Sequence, residues 1–592
     1  MCFYRFEFVS LGRALAKLRE LRLTGKTKSC VNRVRLPWNR LRAHCSFVGG
    51  KLEWLKAVFA GLVWFCAFAP LQCELAAWLT PAMLLWATAA EPRRAFCLGW
   101  VAGAAHFFSS LSWVLYIPVA GSNIVGWVML SGYCAVYPAI WVAFCWLIFP
   151  GDRTDVGKAV SQMPFKVRLL WGGACAIGWV AQECLRGWVI TGFPWNYLGG
   201  SQINYTQIAM LAQFTGVLGV SLVVAWGSVG ALLVFWRWRE QDRFTPCLFM
   251  EGIGPLLLLV VALGLGGAAL SKPLAQERGS LKIALVQPAI PQTVLWDTGD
   301  KKSQEKRFED MMSLSETGVD EDVDLLVWPE ASLPPLGILN PSNVVDRFSN
   351  LEELIRENKI WRVWGADTAT NGVPYNSAVL IPPEDEFLRG LGEIEWPSYA
   401  KRHLVMFGEY VPLSGQLPFL RKLAPVGNFG RGGGPVVFDM GKAKTSVIIC
   451  FEDVVPKLAR RAATEEVDFL LNLTNDGWFG DSHQQWQHAR TAAWRAIENR
   501  RPLVRCCNNG ITAWVDEYGK FHGMTEDVYS KGTRVIEIPL RRGPHSPTFY
   551  QRYGDWLPWG SVIICILIVI MQVRGRWSEV KKDSESDANR AK

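Results

Sequence analysis

A bundle of membrane-spanning helices joined to a layered α/β domain is the fold class that this sequence predicts, and three observations predict it. Half of the 592 residues are hydrophobic and 29 are Trp, with a positive mean hydropathy, which is far from the composition of an ordinary soluble chain. The apolar residues concentrate at 53–271 and 557–573, and the stretch between them alternates short β-branched runs with charged helical ones. Lys and Arg gather at every second connection between the apolar segments.

The apolar segments lie near 54–70, 72–90, 95–117, 122–149, 167–189, 205–236, 252–271 and 557–573. Most approach the roughly 20 residues that cross a bilayer, and the first two are short enough for a tight hairpin. Basic residues cluster before the first (Arg33, Arg35, Arg40, Arg42, Lys51, Lys56) and at Arg93 and Arg94. They cluster again at Arg153, Lys158, Lys166 and Arg168, at Arg237, Arg239 and Arg243, and after the last segment at Arg574, Arg576, Lys581 and Lys582. The connections "PVAGSN" (118–123) and "TGFPWNYLGGSQINY" (191–205) carry none. The positive-inside rule then puts both termini in the cytoplasm and 272–556 on the opposite face, after seven crossings, with 557–573 returning as an eighth. The net charge of +9 is thereby distributed as membrane flanks, and no nucleic-acid partner is expected.

The flanks read simply. Residues 1–52 form a basic cytoplasmic extension, a solvated flank of the first span, although Leu11, Ala14, Leu15, Leu18 and Leu21 at helical spacing would also suit an anionic membrane surface. A signal-peptide pattern is missing, because the first long apolar run comes late and further spans follow. Residues 574–592 form a charged cytoplasmic tail. Most of the 15 Cys fall in apolar spans, where they pack as small hydrophobes. Neither a CxxC nor a Cys/His metal spacing occurs, and His483 and His488 lack an array of carboxylates, so no metal is expected.

Within 272–556, "SLKIALVQPAIPQ" predicts a strand at 281–286, followed by a helix at 301–316. "DVDLLVWPEAS" predicts a second strand that ends at Pro329 and Glu330. "YNSAVLIP" predicts a third, just ahead of "YAKRHLVMFGEYVP". The run 446–449 in "AKTSVIICFEDVVP" predicts a fourth and delivers Cys450 at its end; "VDFLLNLTNDGWFG" predicts a fifth, leading into a helix at 484–499. Alternating strands and helices imply a layered sheet, and a single sheet edge is expected to gather Glu330, Lys401 and Cys450. A carboxylate in a dry pocket can take a thiol proton, and a neighbouring ammonium can steady the oxyanion that forms when the thiolate attacks a carbonyl. Residue types alone leave a core cysteine the simpler reading.

The ordered motifs "VWPEAS", "YAKRHLVMFGEYVP" and "IICFEDVVP" resemble the glutamate, lysine and cysteine signatures of the nitrilase, or carbon-nitrogen hydrolase, superfamily. The resemblance implies an α-β-β-α sandwich, with Glu330 as general base, Lys401 as oxyanion stabiliser and Cys450 as nucleophile. Glu409 matches a second glutamate that orients the lysine or assists proton transfer. Asn376 and Glu452 are further matches. Together with the spans, "LRGWVITGFPWNYLGGSQINY" and "IPQTVLWD", the chain over about 53–573 resembles the bacterial apolipoprotein N-acyltransferase family. That resemblance implies a phospholipid acyl donor, a diacylglyceryl-lipoprotein acceptor, no cofactor, and a monomer in the bacterial inner membrane whose catalytic domain faces the periplasm. It places Trp296 by the acyl groove and Phe451, Trp478 and Phe479 among lipid-contacting positions. Two departures stand out: Phe451 replaces a frequent Tyr, and Met406 replaces a usual Pro. A membrane-tethered amidase would use the same triad and let water resolve the thioester. A transporter or sensor would need more intramembrane charge than Glu74, Glu183 and Arg186 supply.

Overall fold

The computed structural model describes residues 38–119, 121–241, 246–292, 301–319, 322–332, 360–383, 396–412, 414–416, 428–525 and 527–590, with side chains from residue 51 onward except at 246–247, 301–305 and 576–590. Each apolar segment carries a helix: α1 (Trp38–Phe65), α2 (Glu74–Ala87), α3 (Pro92–Ser110), α4 (Ser122–Leu147), α5 (Phe165–Arg186), α6 (Val217–Gln241), α7 (Ile253–Ser271) and, after the α/β domain, the last helix Trp556–Arg590. Among the described residues, four stretches are long and apolar enough to cross a membrane: Ser122–Leu147, Val217–Gln241, Leu248–Ser271 and Trp556–Gly575. The 14 residues of α2 rise only about 21 Å, short of the roughly 30 Å hydrocarbon core.

The apolar run at 205–236 is not one helix. The short helices Thr206–Ala209 and Ala212–Thr215 come first, Gly216 at φ +68 ends the second of them, and α6 starts at Val217. These short turns pack against the α/β domain through Ala209, Met210, Leu211 and Ala212, and in the 3-10 turn before them Gly200 O accepts from the Trp494 indole at 3.2 Å. Charge is also built into the bundle. Arg168 and Arg237 each reach Glu251 Oε1 at 2.7 Å, all three largely buried, so an opposite charge offsets their desolvation. Arg186 donates to Phe193 O at 3.2 Å and to Trp195 O.

The α/β domain holds two six-stranded sheets. In the first, β1 (Glu277–Gln287) pairs in parallel with β2 (Leu325–Val327), which pairs in parallel with β3 (Trp361–Thr370). Antiparallel β4 (Val373–Ile381) and β5 (Ser398–Ala400) extend that edge. The second sheet contains β6 (Val437–Asp439), β7 (Lys444–Ile449), β8 (Phe469–Thr474), β9 (Leu503–Cys507), β10 (Ala513–Val515) and β11 (Phe521–His522), with β7, β8 and β9 parallel. The last strand, β12 (Gly532–Arg541), returns to the first sheet and pairs antiparallel with β1.

Strand alternation sets the layers. Val447 and Ile449 on β7, and Leu471 and Leu473 on β8, meet Ile283, Leu285, Leu325 and Val363 between the sheets. The other face of the first sheet, through Ala284, Val286, Leu326 and Trp364, takes Phe308, Met311 and Met312 of α8 (Lys301–Val319). Ile448, Leu470 and Leu503 point outward from the second sheet onto α9 (Pro456–Ala462) and α10 (Gln484–Asn499). The same apolar cluster continues into Val217, Val220 and Val223 of α6. The result is a helix-sheet-sheet-helix sandwich seated by one helix layer on the bundle.

The candidate active site

Glu330 follows β2 through Trp328 and Pro329, and it is 7% exposed. Its neighbour on β3 is Gly365, where a Cβ would sit 2.1 Å from Pro329 O and 2.8 Å from Glu330 Cα. Only a hydrogen in that place lets the strand end close up. The carboxylate is fully engaged. Asn376 Nδ2 on β4 and Lys401 Nζ donate to Oε1 at 2.7 and 3.1 Å, and the Asn475 backbone N–H donates to Oε2 at 2.9 Å.

Lys401 leaves the end of β5, and its backbone N–H donates to Asn376 O at 2.8 Å. Its ammonium also donates to Glu409 Oε1 at 2.9 Å. Asn376 Nδ2 reaches the same Glu409 oxygen at 2.9 Å, so one amide ties together both glutamates that flank the lysine. Glu409 is anchored in turn by the Val405 N–H at 2.8 Å. The loop around Met406 closes with Phe407 N–H donating to Tyr410 O at 2.8 Å, which keeps Lys401 and Glu409 facing each other despite the missing Pro.

Cys450 sits at the end of β7 with φ +50, in the left-handed region that side chains rarely adopt without surrounding constraint. The constraint is Glu452, which is fully buried. Its Oε2 accepts from Tyr399 Oη at 2.6 Å and from the Ile449 N–H at 2.8 Å; its Oε1 accepts from the Arg402 and His403 N–H groups at 2.7 and 3.0 Å. One carboxylate thus clamps the cysteine turn to the lysine loop. The three key residues therefore do not share one sheet edge. Glu330 and Lys401 end strands of the first sheet and Cys450 ends a strand of the second, because the inward apolar faces of both sheets press their strand ends together.

Burial pushes the Cys450 thiol well above its ordinary range, the charge of Glu330 adds to this, and Lys401 opposes it. Burial alone would lower Lys401, but Glu330 and Glu409 overcome it and hold the ammonium charged. Burial also raises Glu452 against its hydrogen-bond donors. Asp367, opposite Asn376 in the β3–β4 register, is pushed up to about 6 by burial and then by Glu330 and Glu409. His403 is held near 4 by burial and Lys401. The site sets a buried thiol and the Lys401 ammonium among several carboxyl groups.

The aromatic positions divide. Phe451 stacks on Trp195 (centroids 6.3 Å, planes 2° apart), on Phe193 (6.0 Å, 20°) and on His403 (5.8 Å, 19°). Phe479 packs edge-on against Trp113 at 4.7 Å, and Trp478 is half-buried in the 3-10 turn Asp476–Phe479. Trp296 lies outside the described residues. His488 holds a different assembly: its Nδ1 and Nε2 meet Asp476 and Asp453 at 2.7 and 2.8 Å, and Arg505 pairs with Asp453. Every member of this network is buried, and the network braces the turn that follows Cys450.

Residues 282–543 match the Carbon-nitrogen hydrolase family, and residues 60–230 match the Apolipoprotein N-acyltransferase N-terminal domain. Over 536 residues the chain is 31% identical to the apolipoprotein N-acyltransferase of Geobacter metallireducens, an alignment covering 88% of this chain and 95% of that protein. The chain belongs to the apolipoprotein N-acyltransferase family. The enzyme of that name from Vibrio parahaemolyticus is 30% identical over 550 residues, covering 89% of this chain and 98% of the other. Among solved structures, an amidase from Nesterenkonia sp. is 20% identical and covers 45% of this chain and 94% of its own, with a TM-score of 0.31. In this family member Glu330, Asn376, Lys401 and Glu409 form one hydrogen-bonded set, and Glu452 joins the Cys450 turn to the backbone of the Lys401 loop.

Proposed function

We propose that this chain moves an acyl chain from a membrane phospholipid to the N-terminal amine of a diacylglyceryl-cysteine lipoprotein, through a thioester on Cys450. The observation that carries the reading is the stack of Phe451 on Trp195. The residue after the nucleophile rests on a loop of the apolar bundle, which suits a nucleophile that meets substrates held in a bilayer. In the first half-reaction Glu330 accepts the thiol proton as sulfur attacks the ester carbonyl, and Lys401 donates to the oxyanion. Collapse breaks the acyl C–O bond, and Glu330 returns the proton to the departing lysophospholipid oxygen. In the second, the lipoprotein amine attacks the thioester, Glu330 takes the amine proton, and the Cys450 sulfur leaves and is reprotonated. Asn376, Glu409 and Glu452 position these groups, and Phe451, Trp478 and Phe479, with Trp296, contact lipid.

The domain organisation that accompanies this reading is a basic cytoplasmic extension at 1–52, seven spans within 53–271, a periplasmic catalytic domain at 272–556, an eighth span at 557–573 and a cytoplasmic tail at 574–592, in the bacterial inner membrane. The alternating Lys and Arg clusters support this orientation. Asp527 is exposed, so a cysteine placed there is expected to react with an impermeant thiol reagent in cells whose outer envelope has been permeabilised. The function is tested by incubating the purified chain with phospholipid and a diacylglyceryl-cysteine peptide. One acyl chain on the peptide amine is the expected product. Release of free fatty acid with no peptide acylation would instead make the chain a hydrolase.

A further inference from the structure

Between the turn after α1, the loop at 194–201 and α10 lies a small pocket walled by Phe68, Asn196, Gln487, Arg490, Thr491 and Arg495 among others. None of Glu330, Lys401 and Cys450 lines it. Its wall has spare hydrogen-bond donors. Arg495 is 1% exposed and gives Nη2 to Glu498 at 3.1 Å, while its Nε and Nη1 meet no acceptor among the described residues. Arg490 is half-buried and makes no hydrogen bond or ion pair among the described residues.

Three other polar groups of the wall are already committed. Gln487 accepts from Trp113 and Trp195 and donates to Ala69 O, Asn196 donates to Ser110 Oγ, and Thr491 donates to Gln487 O. The nearby carboxylates are committed too. Glu74, the acid acting on Arg490, accepts from Asn204, and Glu498 accepts from the Val217 N–H at 3.0 Å. Buried guanidinium donors without an acceptor are costly, and the planar fork of Arg suits the oxygens of a phosphate. The pocket also borders apolar surface. Next to its lining residue Gln72, Leu71, Leu75 and Leu79 are 58%, 65% and 54% exposed. Leu75 and Leu79, four apart, share one face of α2, and Leu71 lies in the turn just before that helix.

We propose that this pocket binds the phosphate diester of a membrane phospholipid, with Arg490 and Arg495 on the phosphate and the acyl chains along Leu71, Leu75 and Leu79. The site is separate from the Cys450 chemistry and does not depend on it.

Native mass spectrometry of the full chain tests this with a diether phosphatidylglycerol, which has no acyl group to transfer. The wild-type chain is expected to retain one more lipid than Arg490→Gln at the same concentration, or to bind it on the order of tenfold more tightly. Arg490→Lys should fall between the two. A diether glycerol with the same chains but no phosphate should not fill this site, and inorganic phosphate at equal concentration should not displace the lipid. Equal retention by wild type and Arg490→Gln would overturn the proposal. So would equal binding of the phosphate-free lipid, a comparison that needs only the wild-type chain if the variant fails to fold. Displacement by inorganic phosphate would make the ligand a free anion and overturn the assignment to phospholipid.

Discussion

Replacing Glu452 by Gln tests how Cys450, the proposed nucleophile, is held. The carboxylate accepts four hydrogen bonds in a fully buried site, from Tyr399 Oη and from the backbone N–H groups of Ile449, Arg402 and His403. A Gln side chain keeps one acceptor oxygen, so its amide NH2 must face two of those donors. Each buried donor left unsatisfied costs about 1–3 kcal/mol, so the change costs about 2–6 kcal/mol in all. That is a large part of the roughly 5–15 kcal/mol that holds a typical domain together. For a domain of this size the melting temperature should fall by at least about 4 °C. The loss falls where the Cys450 turn meets the Lys401 loop, so Cys450 acylation should slow even at temperatures where the variant remains folded. Thermal melts of the full chain in detergent and the single-turnover rate of acyl-Cys450 formation measure both effects. A Glu452→Gln chain that melts within about 1 °C of wild type and acylates at the same rate would refute the clamp.

Other variants separate chemistry from support. Glu330→Gln cannot accept the thiol proton and should slow acylation by about 10²–10⁴-fold, measured in the same single-turnover assay. Gly365→Ala should slow acylation without touching any substrate, because its Cβ would meet Pro329 O at 2.1 Å and displace Glu330; lipid binding by native mass spectrometry should persist. His488, raised to about 9 by Asp453 and Asp476 against the effect of burial, gives the domain a pH dependence. Its folded value lies above the ordinary 6.5, so the stabilisation is complete below pH 6.5 and is lost as pH rises through 9. The melting temperature should therefore decline across that window in wild type and less so in His488→Gln.

The residues legible in the sequence were those at strand ends within continuous motifs. Glu330 and Cys450 end short apolar runs, which local pattern could place, and the resemblance of the three motifs to the nitrilase superfamily singled out both of them with Lys401 and Glu409. What local pattern missed was pairing across the chain. Strand β3 went unread because Arg362 and Asp367 interrupt its apolar run, although it carries Gly365 and faces Asn376 across the hairpin with β4. The resemblance implied two sheets, but which strands belong to which was hidden, since β6 to β11 resemble β1 to β5 in composition and only tertiary pairing assigns them. Asn376 and Glu452 were readable as motif members but not as bridges, because their partners lie 25 or more residues away except for Glu452 with Ile449. His488 looked isolated for the same reason: Asp453 and Asp476 reach it only through the fold. Helix lengths in the bundle were partly misread, since Gly216 divides one apolar run that hydropathy alone treats as continuous.

The central claim is that Cys450 carries the acyl group between donor and acceptor, and intact-protein mass spectrometry after incubation with phospholipid alone tests it most directly. The account predicts one acyl adduct on Cys450, released by hydroxylamine and absent from Cys450→Ala. An adduct of the same mass that persists in Cys450→Ala, or a wild-type chain that gains no mass while it acylates a lipoprotein peptide, would contradict it.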